Sequence, residues 1–391
     1  MSSSLLILGR QPSISLAELE SIYGSENISP LGESSAIIDL PYSKIKLDNL
    51  GGCIKLCEIL TTIPKTDWKN ISHHLSILLP DLINNLPEGK IKLGISVYDL
   101  NISPRTISSE ALKLKKLIQN LNRTVRVIPN SQPALNTAQV IFNKLTAEPG
   151  IELIITGDAN QVVIAKTKNV QNINSYASRD QKRPKRDARV GMLPPKLAQT
   201  IINLASQDYS QSILDPFCGT GVILQEALLM GHDVYGTDIE ERMVEYSKIN
   251  LDWLYEQASY DLSRQTYLLE TGDACNLIWQ DFDCIASETY LGRPFSSEPN
   301  PDQLKTIINS VNVIHKKFLQ NVARQTKPGF KMCIAIPAWF TKYGIKHLPM
   351  LDHLTDMGYT RKSFVHALDK DLIYHRDNQI VGRELVILIR N

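Results

Sequence analysis

The residues best placed to do chemistry are Ile213-Leu214-Asp215-Pro216-Phe217-Cys218-Gly219-Thr220-Gly221, followed by a helical run and then Asp233-Val234-Tyr235-Gly236-Thr237-Asp238. An apolar strand ending in a Gly-x-Gly turn lets the backbone pass against a ligand, because glycine carries no Cβ. A second strand ending in a carboxylate about twenty residues later places an acceptor for two ribose hydroxyls. The dinucleotide fingerprint Gly-x-Gly-x-x-Gly is absent, since Gln225 rather than glycine stands near its third position, which disfavours a nicotinamide enzyme. Asp273, in Gly272-Asp273-Ala274, follows the third expected strand and is placed to meet the base of a nucleoside ligand. Strand-end capping is the plainer reading of Asp238 and Asp273, and their positions after the second and third strands favour the ligand. Cys218 has no neighbouring base to make it a nucleophile.

The end of the fourth expected strand is where a substrate should meet such a ligand. It reads Asp283-Cys284-Ile285-Ala286-Ser287-Glu288-Thr289-Tyr290-Leu291-Gly292. Asp-Pro-Phe-Cys-Gly-Thr-Gly resembles the first motif of amino-group methyltransferases acting on RNA or DNA bases, whose fourth motif this later stretch should carry. The resemblance implies S-adenosylmethionine as cofactor, held by Asp215, Phe217, Gly219 and Gly221, with Asp238 on the ribose and Asp273 and Ala274 at the adenine. In those enzymes the fourth motif is Asp-Pro-Pro-Tyr. Its carboxylate and a backbone carbonyl accept hydrogen bonds from the exocyclic amine, while an aromatic ring stacks on the extruded base. Here Glu288 stands for Asp, Thr289 and Tyr290 for the prolines, and Leu291 for the aromatic residue. Glu288, Thr289 and Tyr290 are therefore the expected catalytic residues, with Tyr290 as a displaced stacking ring. A catalytically altered, RNA-binding subunit is the alternative.

The front half must supply the substrate. Strands are expected at Leu5 to Leu8, Ala36 to Leu40, Ile54 to Thr61, Ile91 to Tyr98, Thr124 to Ile128, Ile151 to Ile155 and Val162 to Lys166. Helices are expected from a capping box at Ser15-Leu16-Ala17-Glu18 to Gly24, and near 70–86, 105–123 and 134–147. Leu8-Gly9-Arg10-Gln11-Pro12-Ser13-Ile14-Ser15 resembles the opening of archaeal tRNA guanine-N2 methyltransferases. Leu135-Asn136-Thr137-Ala138-Gln139-Val140 with Asn143-Lys144-Leu145 and Ile151-Glu152-Leu153 is similar to the last helix and strand of a THUMP domain, an RNA-binding module. The resemblance implies guanine N2 in tRNA as the methyl acceptor. It admits a small activating protein subunit and implies no membrane partner. A DNA adenine-N6 or cytosine-N4 methyltransferase is the rival enzyme, and nothing in the chain looks like a DNA target-recognition domain.

The elements that position these residues follow from the pattern. Pattern and resemblance together imply an α+β, ferredoxin-like and THUMP-like region over residues 1–170, a polar basic linker over 171–190 and an α/β, class I Rossmann-like methyltransferase domain over 191–391. In the linker, Arg179 to Arg189 holds six basic residues, and Lys182, Arg183, Lys185 and Arg186 suit a phosphate-facing strap. Strands expected at 213–217, 233–238, 267–270, 283–287 and 331–336 alternate with helices, which is the signature of a doubly wound parallel sheet. Leu372 to His375 and Arg383 to Ile389 suggest a closing hairpin. The 391 residues favour more than one domain, and the net charge of +1 neither demands nor excludes nucleic acid. The six cysteines complete no zinc site. No apolar run approaches the roughly 20 residues that span a bilayer, and a cytoplasmic location is expected.

Overall fold

A computed structural model describes residues 3–187, 192–208, 210–257, 260–293, 295, 299–377 and 379–391. The chain divides into two compact units. The first is Met1–Leu16, Tyr23–Asp48 and Gly52–Ile173; the second is Ala17–Ile22, Asn49–Gly51 and Asn174–Asn391. Ala188, Arg189 and Val190 of the expected linker and Asn378 of the expected hairpin turn lie outside the described residues.

The first unit holds strands β1 (Ser4–Leu8), β2 (Ile28–Leu31), β3 (Ser35–Ile38), β4 (Cys53–Pro64), β5 (Ile91–Val97), β6 (Val125–Val127), β7 (Gly150–Gly157) and β8 (Gln161–Val170). Its helices are α1 (Pro12–Tyr23), α2 (Trp68–Asn84), α3 (Pro104–Asn120) and α4 (Thr137–Phe142). The sheet runs β2-β3-β1-β4-β8-β7-β5-β6, with β5 parallel to β6 and β7 and the remaining pairs antiparallel. Ile107, Ala111, Leu114 and Ile118 of α3 join Ile71, Leu75, Leu79 and Ile83 of α2 in one core with the apolar face of β5 and β7. That stripe is the one the helical spacing predicts.

Three local expectations change. The first helix opens at Pro12 rather than at Ser15, whose hydroxyl is 2.7 Å from the Gly52 carbonyl instead of capping a helix. The helix expected over 134–147 covers only Thr137–Phe142. Asn136 and Gln139 close its start as a capping box, and Lys144 just beyond its end has φ 55°. The strand β2 is not expected from sequence because it contains Pro30; it lies at the sheet edge, where a missing N–H breaks no ladder.

The second unit alternates helices with the strands of one sheet. Helices α5 (Ile173–Gln181) and α6 (Pro195–Ala205) lead into β9 (Ser212–Asp215), α7 (Val222–Met230), β10 (Asp233–Asp238), α8 (Glu241–Tyr255), β11 (Tyr267–Thr271) and β12 (Cys284–Glu288). Then come α9 (Pro301–Gln325), β13 (Lys331–Thr341), β14 (Gly344–Lys346), β15 (Tyr359–Arg361), β16 (Ile373–Tyr374) and β17 (Val381–Arg390). The strand order is β11-β10-β9-β12-β13-β17-β15. The first five are parallel, and β17 runs antiparallel to both its neighbours. The order reverses between β9 and β12, and ligands of open α/β sheets bind outside the carboxyl ends at such a switch point. The expected closing hairpin exists only as the two-residue pairing of β16 with β17, whose long partner is β13. Likewise the connector is no free-standing segment, since α5 forms within it and Asn174 onward belongs to the second unit.

Candidate functional site

At the switch point the turn after β9 is held open by two left-handed glycines, Gly219 (φ 51°) and Gly221 (φ 79°). A Cβ on Gly221 would stand 3.0 Å from the Ser247 hydroxyl, so glycine is needed there for space as well as for conformation. Ser247 Oγ donates to the Gly219 carbonyl at 2.9 Å, and the Asn250 amide donates to the Thr220 carbonyl at 2.9 Å, both reaching from α8. The Gly219 N–H donates to Asp238 Oδ2 at 3.0 Å and the Glu240 N–H to Oδ1 at 3.0 Å. Asp238 thus ties the ends of β9 and β10 together and keeps spare lone pairs on both oxygens.

These ends open onto a cavity of about 790 Å³. Asp215, Phe217, Gly219, Asp238, Asp273 and Ala274 line it from the β9, β10 and β11 side, and Glu288, Thr289 and Tyr290 from the end of β12. Every expected cofactor and catalytic residue except Gly221 therefore borders one space. Gly221 instead starts α7. Asp273 also accepts from the Cys275 N–H at 2.9 Å, so the capping reading and the lining position hold together. Met192 and Leu193, Arg242, Arg293, Val313 and Lys317 complete much of the wall.

Burial sets the electrostatics. Asp215 is 2% exposed and accepts from Ser287 Oγ at 2.6 Å and the Phe217 N–H at 3.3 Å. Desolvation outweighs those bonds and raises its carboxyl to about 7, with the nearby Asp238 and Glu288 charges adding to the rise. Burial likewise raises Asp238 and lifts the Cys218 thiol well above its usual range, so Cys218 is inert. A buried carboxyl facing a cavity at a left-handed glycine turn fits a ligand that brings a positive charge and a sugar.

The fourth-strand residues show what sequence reasoning missed. Glu288 is hydrogen-bonded and ion-paired to the Arg383 guanidinium of β17. Burial raises the Glu288 carboxyl, and Arg383 opposes the rise. Thr289 is 3% exposed; its N–H donates to the Ala335 carbonyl at 3.0 Å, and its hydroxyl is 2.7 Å from His315 Nε2. His315 Nδ1 lies 2.8 Å from the Val311 carbonyl, which can only accept, so the proton sits on Nδ1 and Nε2 accepts from Thr289. Desolvation lowers His315 to about 4, which keeps the ring neutral and removes it from proton transfer near pH 7. Tyr290 is 40% exposed, with its ring at the cavity. The arginine is visible in sequence as a lone cation in the apolar run Val381-Gly382-Arg383-Glu384-Leu385-Val386-Ile387, which a buried strand tolerates only with a partner.

The connector residues sit elsewhere. Lys182, Arg183, Lys185 and Arg186 do not line the cavity, whereas Asp187 does and pairs with Arg242 at 3.2 Å. Lys182 and Arg186 are exposed and Lys185 is half-buried over the Tyr246 ring. Arg183 is 3% exposed, so its guanidinium is not on a phosphate-facing surface as the spacing suggests. Arg179 is buried in a bidentate pair with Glu226, at 2.5 and 2.9 Å.

A doubly wound sheet with an antiparallel seventh strand, a glycine turn and acids at consecutive strand ends define a Rossmann-like methyltransferase. Residues 183–337 match the UPF0020 family, described as the RMKL-like methyltransferase domain. A probable tRNA (guanine(10)-N2)-dimethyltransferase of Methanothermococcus thermolithotrophicus is 43% identical over 129 residues, 31% of this chain and 74% of that one. The enzyme of that name from Pyrococcus abyssi is 38% identical over 116 residues, 29% of this chain and 32% of its own length. The chain belongs to the tRNA (guanine(10)-N2)-dimethyltransferase family. Its matched stretch spans about a third of the Pyrococcus relative. TrmN from Thermus thermophilus shares the fold over the full length of both chains, with a TM-score of 0.54 at 15% identity.

Proposed function

We propose that this protein transfers methyl groups from S-adenosylmethionine to the exocyclic N2 of a guanine in tRNA. The observation that carries the reading is the meeting, around one cavity, of the glycine turn and strand-end acids with Glu288, Thr289 and Tyr290. The volume suits a nucleoside cofactor and a flipped base, within the roughly 300 to 1,000 Å³ of ligand pockets. Asp215, Phe217, Gly219 and Gly221 would hold the amino-acid end, Asp238 the ribose, and Asp273 and Ala274 the adenine. When bound, S-adenosylmethionine supplies an electrophilic methyl group on a sulfonium.

The chain's own residues position the acceptor. An amine conjugated to a purine ring is a poor nucleophile. Glu288 and the Thr289 carbonyl would accept its two N–H bonds, turning the nitrogen lone pair toward the methyl group. Methylation would leave a cationic nitrogen that loses one proton, and Glu288 would accept it. Tyr290 would stack on the base. The first unit is read as the THUMP-like RNA-binding module, and the exposed Lys182 and Arg186 of the connector as contacts to the RNA backbone. A cytoplasmic location and a small activating subunit belong to the same reading.

One observation favours a second reading, a catalytically altered RNA-binding subunit: Glu288 is already engaged by Arg383. A labelled-methyl assay on bulk tRNA and on duplex DNA, alongside calorimetric titration with S-adenosylmethionine, separates the possibilities. Label in tRNA alone is the expected result. Label in DNA supports the rival enzyme, and cofactor binding without transfer to either supports the altered subunit.

A further inference from the structure

The β13 strand outruns the rest of the parallel sheet, and what it builds lies beyond the end of β12. Ala335 pairs with Glu288 on one side and Leu385 of β17 on the other. Four residues on, Trp339 still pairs with β17 through Val381, while its other side is taken by Lys346 of β14. The β14 strand therefore occupies the lane that β12 vacates, about 13 Å past Glu288 at roughly 3.3 Å per residue. The β13–β14 hairpin stands over the point where Glu288, Thr289 and Tyr290 leave the sheet.

The hairpin is not dressed as a plain loop. Tyr343 at its tip is 72% exposed, with Lys342 Nζ 5.0 Å from its ring centroid, and Lys346 is exposed beside it. Phe340 of β13 stacks on His375 at 3.7 Å and 17°, joining the hairpin to the segment after β16, where Arg376 lies over the Tyr374 ring at 5.9 Å. Tyr374 pairs with Arg383, the partner of Glu288. Lys342, Lys346 and Arg376 are exposed cations on these segments, and Asp377 is an exposed carboxylate next to Arg376. An exposed ring flanked by exposed cations, as Tyr343 is by Lys342 and Lys346, is the footprint of single-stranded nucleic acid, with a base stacking on the ring and phosphates meeting the cations.

We propose that the β13–β14 hairpin, with Tyr374 and Arg376, is an RNA-docking surface that grips the nucleotides flanking the flipped target base. The inference rests on the RNA reading above. Its occupant is a single-stranded or unstacked RNA segment, since Tyr343 offers a ring face that duplex stacking would deny.

The test uses the full-length chain, with Tyr343→Ala and a triple Lys342→Ala, Lys346→Ala, Arg376→Ala variant. Affinity for S-adenosylmethionine should match the parent in both, which also reports an intact fold. The triple variant should lose tRNA affinity by about tenfold or more and flatten its dependence on log salt by roughly 0.7 to 0.9 per lost contact. Tyr343→Ala should weaken RNA binding by roughly five- to a hundredfold, the scale of one lost base–aromatic stack. Variants that bind and methylate tRNA as the parent does overturn the docking surface and leave the RNA reading standing. A parent that neither binds nor methylates RNA overturns both.

Discussion

Glu288 is the residue on which the proposed chemistry turns, and its surroundings differ from those its place in the sequence suggests. One oxygen is committed to Arg383, whose guanidinium opposes, without overcoming, the rise that burial imposes on the carboxyl. Glu288→Gln keeps the size and loses the charge, and should lower methyl transfer about 10²-fold while cofactor affinity stays within about twofold. A Gln variant that methylates at the parent rate would remove Glu288 from the mechanism. Asp215 gives a separate, pH-dependent signal. Its carboxyl sits at about 7 in the free protein, and a cationic cofactor favours the ionised form. Affinity for S-adenosylmethionine should therefore climb as pH rises toward 7, by at most about tenfold per unit, and level off above. The sign for the free fold is opposite: a raised carboxyl contributes stability at low pH that is lost as pH rises from about 4 to 7. Calorimetric titrations from about pH 5.5 to 8.5 check the first effect, and Asp215→Asn should flatten the curve. A pH-independent affinity in the parent would contradict the assignment.

Among the elements, those with long apolar or periodic sequences are legible in the chain and those fixed by packing are not. The strands β9, β10 and β12 and the stripe of α3 follow from residue type, because one face or both must be buried. The short β14, β15 and β16 carry too few residues to show a period, and they exist because β13 and β17 offer them edges. The same holds at the site. Residues at strand ends can be read in sequence, whereas Ser247, Asn250, Ser287, His315 and Arg383 meet the cavity residues only through tertiary packing. The connector shows the limit of a charge count: six basic residues in a row of eleven suggest one exposed strap, yet Arg179 and Arg183 are buried. Asn250 holds the backbone of Lys185 by two bonds of 2.9 Å, accepting from its N–H and donating to its carbonyl, which leaves the outward Lys182 and Arg186 as the phosphate candidates. Replacing both with alanine should weaken tRNA binding and reduce the salt slope by roughly 0.7 to 0.9 per contact. Filter-binding isotherms at several salt concentrations read this directly, and an unchanged slope would make the segment a linker.

At the scale of the molecule, the amino-acid sequence carries the family. A single seven-residue motif at a strand end, Asp215 to Gly221, points to the cofactor class, and its distance from an N-terminal α+β region points to the expected substrate class. Composition adds little, since a net charge of +1 hides basic surfaces behind acidic ones elsewhere. Among the described residues no helix is long and apolar enough to cross a membrane. The departure of Glu288-Thr289-Tyr290 from Asp-Pro-Pro keeps the reaction itself the central claim. The most direct test is mass spectrometry of nucleosides from tRNA incubated with the protein and methyl-deuterated S-adenosylmethionine. Deuterium is expected in N2-methylguanosine or its dimethyl form, with loss of that signal in Glu288→Gln. Deuterium in methylated adenine or cytosine, or none in any nucleoside despite saturating cofactor binding, would contradict the claim.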